Sequence, residues 1–98
     1  MGRRHFSPIR PGEVLLHDFM EPMGISQYWV AEKINVPPRR ITQIVHCPRG
    51  ISADTALRLS HYFGLSNQYW LNLQSLYDLQ VAKEKLQESL DSIEPLAA

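Results

Sequence analysis

Ser26-Gln-Tyr-Trp-Val-Ala-Glu-Lys-Ile-Asn-Val-Pro-Pro-Arg-Arg-Ile-Thr-Gln-Ile-Val45 reads as two short helices joined by a tight turn. Ser26 is a good N-cap, with a hydroxyl placed to accept a first-turn amide hydrogen. Trp29, Val30, Ala31 and Ile34 supply apolar positions at helical spacing, and the small Ala31 lets another helix approach closely. Asn35 follows the last turn, where a left-handed residue usually closes a helix, and Val36 can then enter the core. Pro37 and Pro38 open the second helix, whose first amide positions lack intrahelical acceptors in any case. Ile41, Ile44 and Val45 face inward, which leaves Arg39, Arg40, Thr42, Gln43 and His46 outward. The spacing predicts a helix-turn-helix over 26–45, with its second helix free to enter a DNA major groove.

Upstream, residues 1–10 lack periodicity, carry three arginines and read as a flexible N-terminal arm. Pro11 and Glu13 open a helix with Val14, Leu15, Phe19 and Met20 inward, and Pro22 and Gly24 end it. Downstream, the stretch Cys47-Pro48-Arg49-Gly50 is a loop. Ser52 caps a fourth helix that stops at Gly64, with Ala53, Ala56, Leu57, Leu59 and Phe63 as core candidates. Ser66 is expected to cap a fifth helix that buries Tyr69, Trp70, Leu73, Leu76 and Tyr77. No proline or glycine interrupts the chain from Ser66 to Glu94, so this helix is expected to continue beyond the domain. Leu79, Ala82, Leu86, Leu90 and Ile93 form an apolar stripe along it. That stripe needs a covering surface: the same domain, a second copy or another protein. The expectation is an all-α, five-helix domain over 11–78 with a helical extension over 79–98.

At 98 residues and 44% apolar, the chain has material for one small core, and a dimer would bury more surface. The single cysteine, Cys47, allows no intramolecular disulfide. No signal core or membrane-spanning run is visible, which predicts a cytoplasmic protein with no membrane association. The net charge is +0, but residues 1–58 carry eight Lys/Arg against five Asp/Glu, and residues 59–98 carry two against five. A basic front and an acidic back suit two partners of different charge, although ordinary solvated surface gives the same counts.

Base readout needs side chains that present paired hydrogen-bonding groups, arginine to guanine and glutamine to adenine, at about 1–3 kcal/mol of discrimination each. Arg39 and Gln43 are four residues apart and share a helix face, so they are the expected base readers. Arg40 and Thr42 flank them and are expected to reach phosphate or the adjacent strand. Gln27, just inside the preceding helix, can set its amide and the helix N-terminus against phosphate. Arg49 could clamp the backbone, whereas Pro38, with no amide hydrogen, offers apolar contact alone. Adjacent His46 and Cys47 diverge on a helix, and no CxxC or HxxxH spacing is present. No metal site, cofactor or catalytic pair is therefore expected. His17 and His61 read as helix surface or core edge. Among the aromatics, Tyr28 is the best exposed candidate for stacking.

Beyond the residues themselves, four stretches resemble the HigA/VapI-type antitoxin family, a branch of the phage-repressor-like helix-turn-helix superfamily. They are Arg-Pro-Gly-Glu-Val-Leu at 10–15, Pro-Pro-Arg-Arg-Ile at 37–41, Arg-Gly-Ile-Ser-Ala-Asp-Thr-Ala-Leu-Arg-Leu at 49–59 and Tyr-Trp-Leu-Asn-Leu-Gln at 69–74. Tyr77-Asp78-Leu79 extends the likeness. The resemblance implies a homodimer that binds operator DNA upstream of its own operon. It also implies that the protein holds a RelE/HigB-like mRNA-cleaving toxin inactive. By the same likeness, Gln27 falls at a phosphate-contacting position, and Pro38, Arg39, Arg40, Thr42 and Gln43 fall at exposed recognition-helix positions. Where the family commonly has Asn-Gly-Lys/Arg-Arg, this chain has His46-Cys47-Pro48-Arg49, without the glycine that makes a left-handed turn there. A stand-alone repressor without a toxin, or a helical protein-binding adaptor, would share much of this sequence.

Overall fold

The computed structural model describes residues 8–46 and 50–96. Arg49, most of the N-terminal arm and the last two residues lie outside them. Five helices follow one another, and no strand occurs among the described residues. Helix α1, 11–23, is α-helical over Pro11–Val14, π-helical over Leu15–Met20 and α-helical again over Glu21–Met23. Then come α2, Gln27–Ile34, α3, Pro38–His46, α4, Ala53–Phe63, and α5, Tyr69–Asp91.

The helix ends follow local chemistry. The Arg10 N–H donates to the Glu13 carboxylate at 3.0 Å, and Pro11 takes the first helical position. The widened turn ahead of Pro22 relieves its ring, which would press on the carbonyl of Asp18 in a regular α-turn. Ser26 Oγ accepts from the Trp29 N–H at 3.1 Å, and Ser52 Oγ accepts from the Thr55 N–H at 3.3 Å. Gly24, Asn35 and Gly64 close α1, α2 and α4 in the left-handed region, at φ 67°, 61° and 72°. Ser66 does not cap α5 with its side chain. Its carbonyl accepts from Tyr69, and Gln68 holds the cap position after a short turn.

The core gathers Leu15 and Met20 of α1, Val30, Ala31 and Ile34 of α2, and Ile41, Ile44 and Val45 of α3. Val36, Ile51, Ala56, Leu59 and Trp70 complete it. Phe19 stacks against Phe63, Tyr69 and Trp70 at centroid distances of 4.9, 6.1 and 5.3 Å, tying α1 to α4 and α5. Gly12 brings α1 directly onto α3. A Cβ there would collide with the Ile44 carbonyl oxygen and sit 2.8 Å from its carbon.

Several expected core residues are exposed instead. Trp29 lies on the outer side of α2, its Nε1 donating to the Tyr62 hydroxyl at 2.9 Å and Lys33 Nζ 4.5 Å from the ring centroid. Val30, Ala31 and Ile34 already fill the narrow inward stripe of so short a helix. Ala53 and Leu57 are off the buried line of α4, which runs through Thr55, Ala56, Leu59 and Ser60. Leu76 is 60% exposed because it lies on the outer side of α5, whose inner side keeps Gln74, Tyr77 and Val81 half-buried. Tyr69 and Tyr77 are half-buried.

The radius of gyration is 16.6 Å, against about 13 Å for a compact chain of this length. The longest dimension is 52 Å. The excess is the far half of α5, where every residue over 82–96 is exposed.

Candidate nucleic-acid interface

The interface is built on α3, fixed from below by Ile41, Ile44 and Val45, all buried. Its outward residues are brought together as the helical spacing requires. Pro38, Arg39, Arg40, Thr42 and His46 are exposed, and Gln43 is half-buried. Gln43 lies in the crevice that Arg40, Gly50, Ser52 and Asp54 also line. Its amide therefore borders both the open face and the start of α4.

Gln27 joins α2 to this face through two contacts that sequence spacing does not suggest. Thr42 Oγ1 donates to Gln27 Oε1 at 2.8 Å, and Gln27 Nε2 lies 2.9 Å from His46 Nε2. An amide nitrogen can only donate, so His46 Nε2 is the acceptor in this contact. Among the described residues, one amide hydrogen of Gln27 has no acceptor at the N-terminus of α2. That donor suits an acceptor-only group such as a phosphate oxygen.

The two adjacent arginines differ. Arg40 Nη1 is 3.4 Å from Asp54 Oδ1, on the first turn of α4. The same oxygen accepts from Arg58 Nε at 2.7 Å. Among the described residues, no hydrogen bond or ion pair holds Arg39. Arg39 is thus the cation that can turn fully toward a ligand. Arg40 must give up, or share, a solvent-screened pair worth at most about 1 kcal/mol.

Three further residues support the interface from outside it. Arg58 Nη1 donates to the Ile34 carbonyl at 2.8 Å and the Asn35 carbonyl at 3.4 Å, closing the C-terminal end of α2. Gln74 Oε1 accepts from the Ile51 N–H at 3.0 Å, and Gln74 Nε2 donates to Asp78 at 2.9 Å. Gln74 therefore pins the chain just after the loop that follows α3. Arg10 Nη2 donates to the Val45 carbonyl at 3.3 Å, near the C-terminal end of α3. Sequence inspection gave no signal for the bonds of Arg58, for that of Gln74 to Ile51 or for that of Arg10, because each joins residues more than twenty positions apart.

Arg49 and the Cys47-Pro48 segment lie outside the described residues. No group of three or more His, Cys, Asp or Glu among the described residues could hold a metal ion. No described helix is long and apolar enough to cross a membrane.

The helix-turn-helix family model matches residues 16–70. Virulence-associated protein I of Dichelobacter nodosus is 46% identical over 96 residues, spanning 98% of this chain and 88% of that protein. Antitoxin HigA-1 of Vibrio cholerae is 30% identical over 89 residues, spanning 91% of this chain and 84% of that one. The solved structure of Pseudomonas aeruginosa antitoxin HigA with the higBA promoter matches with a TM-score of 0.85 at 42% identity. That match covers 92% of this chain and 99% of the other.

Proposed function

This chain belongs to the HigA/VapI-type branch of the helix-turn-helix family, and from that membership we propose that it is a homodimeric antitoxin that represses its own operon. It binds operator DNA upstream of its gene and holds a RelE/HigB-like mRNA-cleaving toxin inactive. The observation that carries the DNA half is the outer side of α3. There Arg39 stands unpaired among the described residues, one turn before Gln43, and Thr42 of the same helix holds Gln27 of α2. Arg39 and Gln43 read bases in the major groove, and Gln27 and Thr42 position the helix on the backbone. Arg40 reaches phosphate or the adjacent strand, Arg49 clamps the backbone, His46 stands on the same outward face, and Pro38 packs against the groove wall. Two such helices, one per subunit, address half-sites about one helical turn apart.

The toxin half is supported by the named relatives, among which antitoxins recur. Co-expression with the neighbouring small basic open reading frame tests it. Growth should be restored and the two proteins should co-purify. Continued toxicity, or no such neighbour, would leave a stand-alone repressor. For the DNA half, the purified chain should prefer its own upstream region over random DNA at matched salt. Equal affinity for both would remove the repressor assignment.

A further inference from the structure

Pro38, Thr42 and His46 follow one another at four-residue steps along the side of α3 that meets Gln27. The Thr42 hydroxyl has one hydrogen but two acceptors in reach, Gln27 Oε1 at 2.8 Å and the Pro38 carbonyl at 3.2 Å. The Gln27 amide is an acceptor at one end and a donor at the other. Its Nε2 lies 2.9 Å from His46 Nε2, a ring nitrogen that accepts when bare and donates when protonated. Two complete arrangements therefore fit the same side chains. In the first, Thr42 donates to Gln27 Oε1, and Gln27 Nε2 donates to a bare His46 Nε2. In the second, the amide has turned over. His46 Nε2–H donates to Gln27 Oε1, Gln27 Nε2 donates to Thr42 Oγ1, and Thr42 donates to the Pro38 carbonyl. An imidazolium carries a hydrogen on both nitrogens and permits only the second.

We propose that His46 positions the Gln27 amide for the DNA backbone, and that operator binding draws a proton onto His46 and turns that amide over. The inference rests on the DNA reading above. His46 is exposed, and among the described residues Gln27 is its partner. The charged groups around it are cations. Arg39 stands two turns earlier on α3, and Arg10, ahead of α1, donates to the Val45 carbonyl beside it. Glu13 of α1 accepts from the Arg10 N–H, and Asp54 of α4 holds Arg40 and Arg58. From α2 come the uncharged Gln27 and the phenol of Tyr28. The free chain thus brings no described carboxylate to the imidazole, whereas a DNA phosphate supplies the missing anion. The proton comes from the buffer and goes to Nε2, the nitrogen that was bare. The turned amide still has one N–H to give to a phosphate oxygen, and the ring beside it now carries a positive charge. The complex then holds more protons than its separate components, so affinity falls as pH rises.

Calorimetric titration of the full chain with its own upstream duplex, in buffers of different ionisation enthalpy, counts the protons directly. The wild type should take up a proton, at most about one per subunit, and its affinity should weaken on the order of 10-fold from about pH 6 to about pH 8. His46→Gln keeps an amide that can hold Gln27 but cannot titrate. It should lose that proton uptake and most of the pH dependence. Equal uptake by the wild type and His46→Gln would overturn the part given to His46. Nuclear magnetic resonance of the free wild-type chain tests the relay without DNA. The Gln27 side-chain amide signals should move with the same midpoint as the His46 ring signals. Amide signals that stay fixed while the ring titrates would overturn the turning of Gln27. If the wild type prefers its own upstream DNA at no pH, the DNA reading fails and proton uptake on binding falls with it. The resonance titration would then still decide whether His46 sets the Gln27 amide.

Discussion

Gly12→Ala should destabilise this protein, against the ordinary preference of a helix for alanine. In a helix interior, alanine is favoured over glycine by about 0.5–1 kcal/mol. Here the added methyl would meet the backbone of α3. It would overlap the Ile44 carbonyl oxygen, stand 2.8 Å from the Ile44 carbonyl carbon and 3.2 Å from Val45 Cα. These are main-chain atoms inside a hydrogen-bonded helix, so they cannot swing aside as a side-chain terminus could. Overpacking typically costs about 1–3 kcal/mol, and immovable neighbours put this site at the upper end. The net loss is about 2 kcal/mol, which for a domain of this size lowers Tm by about 8–16 °C. Thermal unfolding followed by circular dichroism reads it, with Gly50→Ala as the comparison. At Gly50 the nearest atoms are those of the Gln74 side chain amide, at 3.4 Å, and little change is expected there. Because α1 would be pushed off α3, operator affinity should fall as well. A Gly12→Ala protein with an unchanged or higher Tm would show that α1 and α3 are not this close, and the packing beneath the recognition helix would need redrawing.

The other expectations concern the supports of the interface and one titrating pair. Arg58→Ala removes the donor to the Ile34 and Asn35 carbonyls and should cost about 1–2 kcal/mol in urea unfolding, with Arg58→Lys recovering part of it. An unaffected midpoint would mean water serves those carbonyls equally well. Gln74→Ala strips the Ile51 N–H of its acceptor and should cost about 1–3 kcal/mol, with faster amide exchange at Ile51. Exchange at the wild-type rate would remove Gln74 as the anchor. The hydrogen bond to Glu21 raises the pKa of His17 above 6.5. A raised folded pKa stabilises most below the unfolded value and less as pH climbs through the folded one. The wild-type Tm, measured against that of His17→Ala, should therefore hold a small excess at pH 5 that disappears at alkaline pH. Parallel profiles would dismiss the pair, which is exposed on both sides.

The helix-turn-helix was legible because its signals are local. Ser26, Asn35 and the two prolines mark ends by backbone chemistry, and Ile41, Ile44 and Val45 repeat at the helical period. What the sequence left hidden needed three dimensions. Trp29 and Leu57 are as apolar as their buried neighbours, yet each sits about one residue off its helix's inward line. Gly12 had a readable clue, a poor helix former in a first turn, but its partner is thirty-two positions away. The outward set on α3 followed from the period alone. Its internal wiring, Thr42 to Gln27 to His46 and Arg40 to Asp54, did not, because those bonds depend on how α2 and α4 lie against α3. Tyr69–Gln74, one of the four stretches that carry the family likeness, is structural. Trp70 fills the core and Gln74 holds the chain after the recognition helix.

The most direct test of DNA reading by α3 is the ratio of affinities for the chain's own upstream sequence and a scrambled duplex. It should be measured by fluorescence anisotropy at one salt concentration for the wild type and for Arg39→Ala. If Arg39 reads a base, the ratio should shrink by about 5- to 150-fold, corresponding to about 1–3 kcal/mol, with most of the loss on the specific duplex. An unchanged ratio, with both affinities reduced alike, would make Arg39 a backbone contact and contradict base readout from this face.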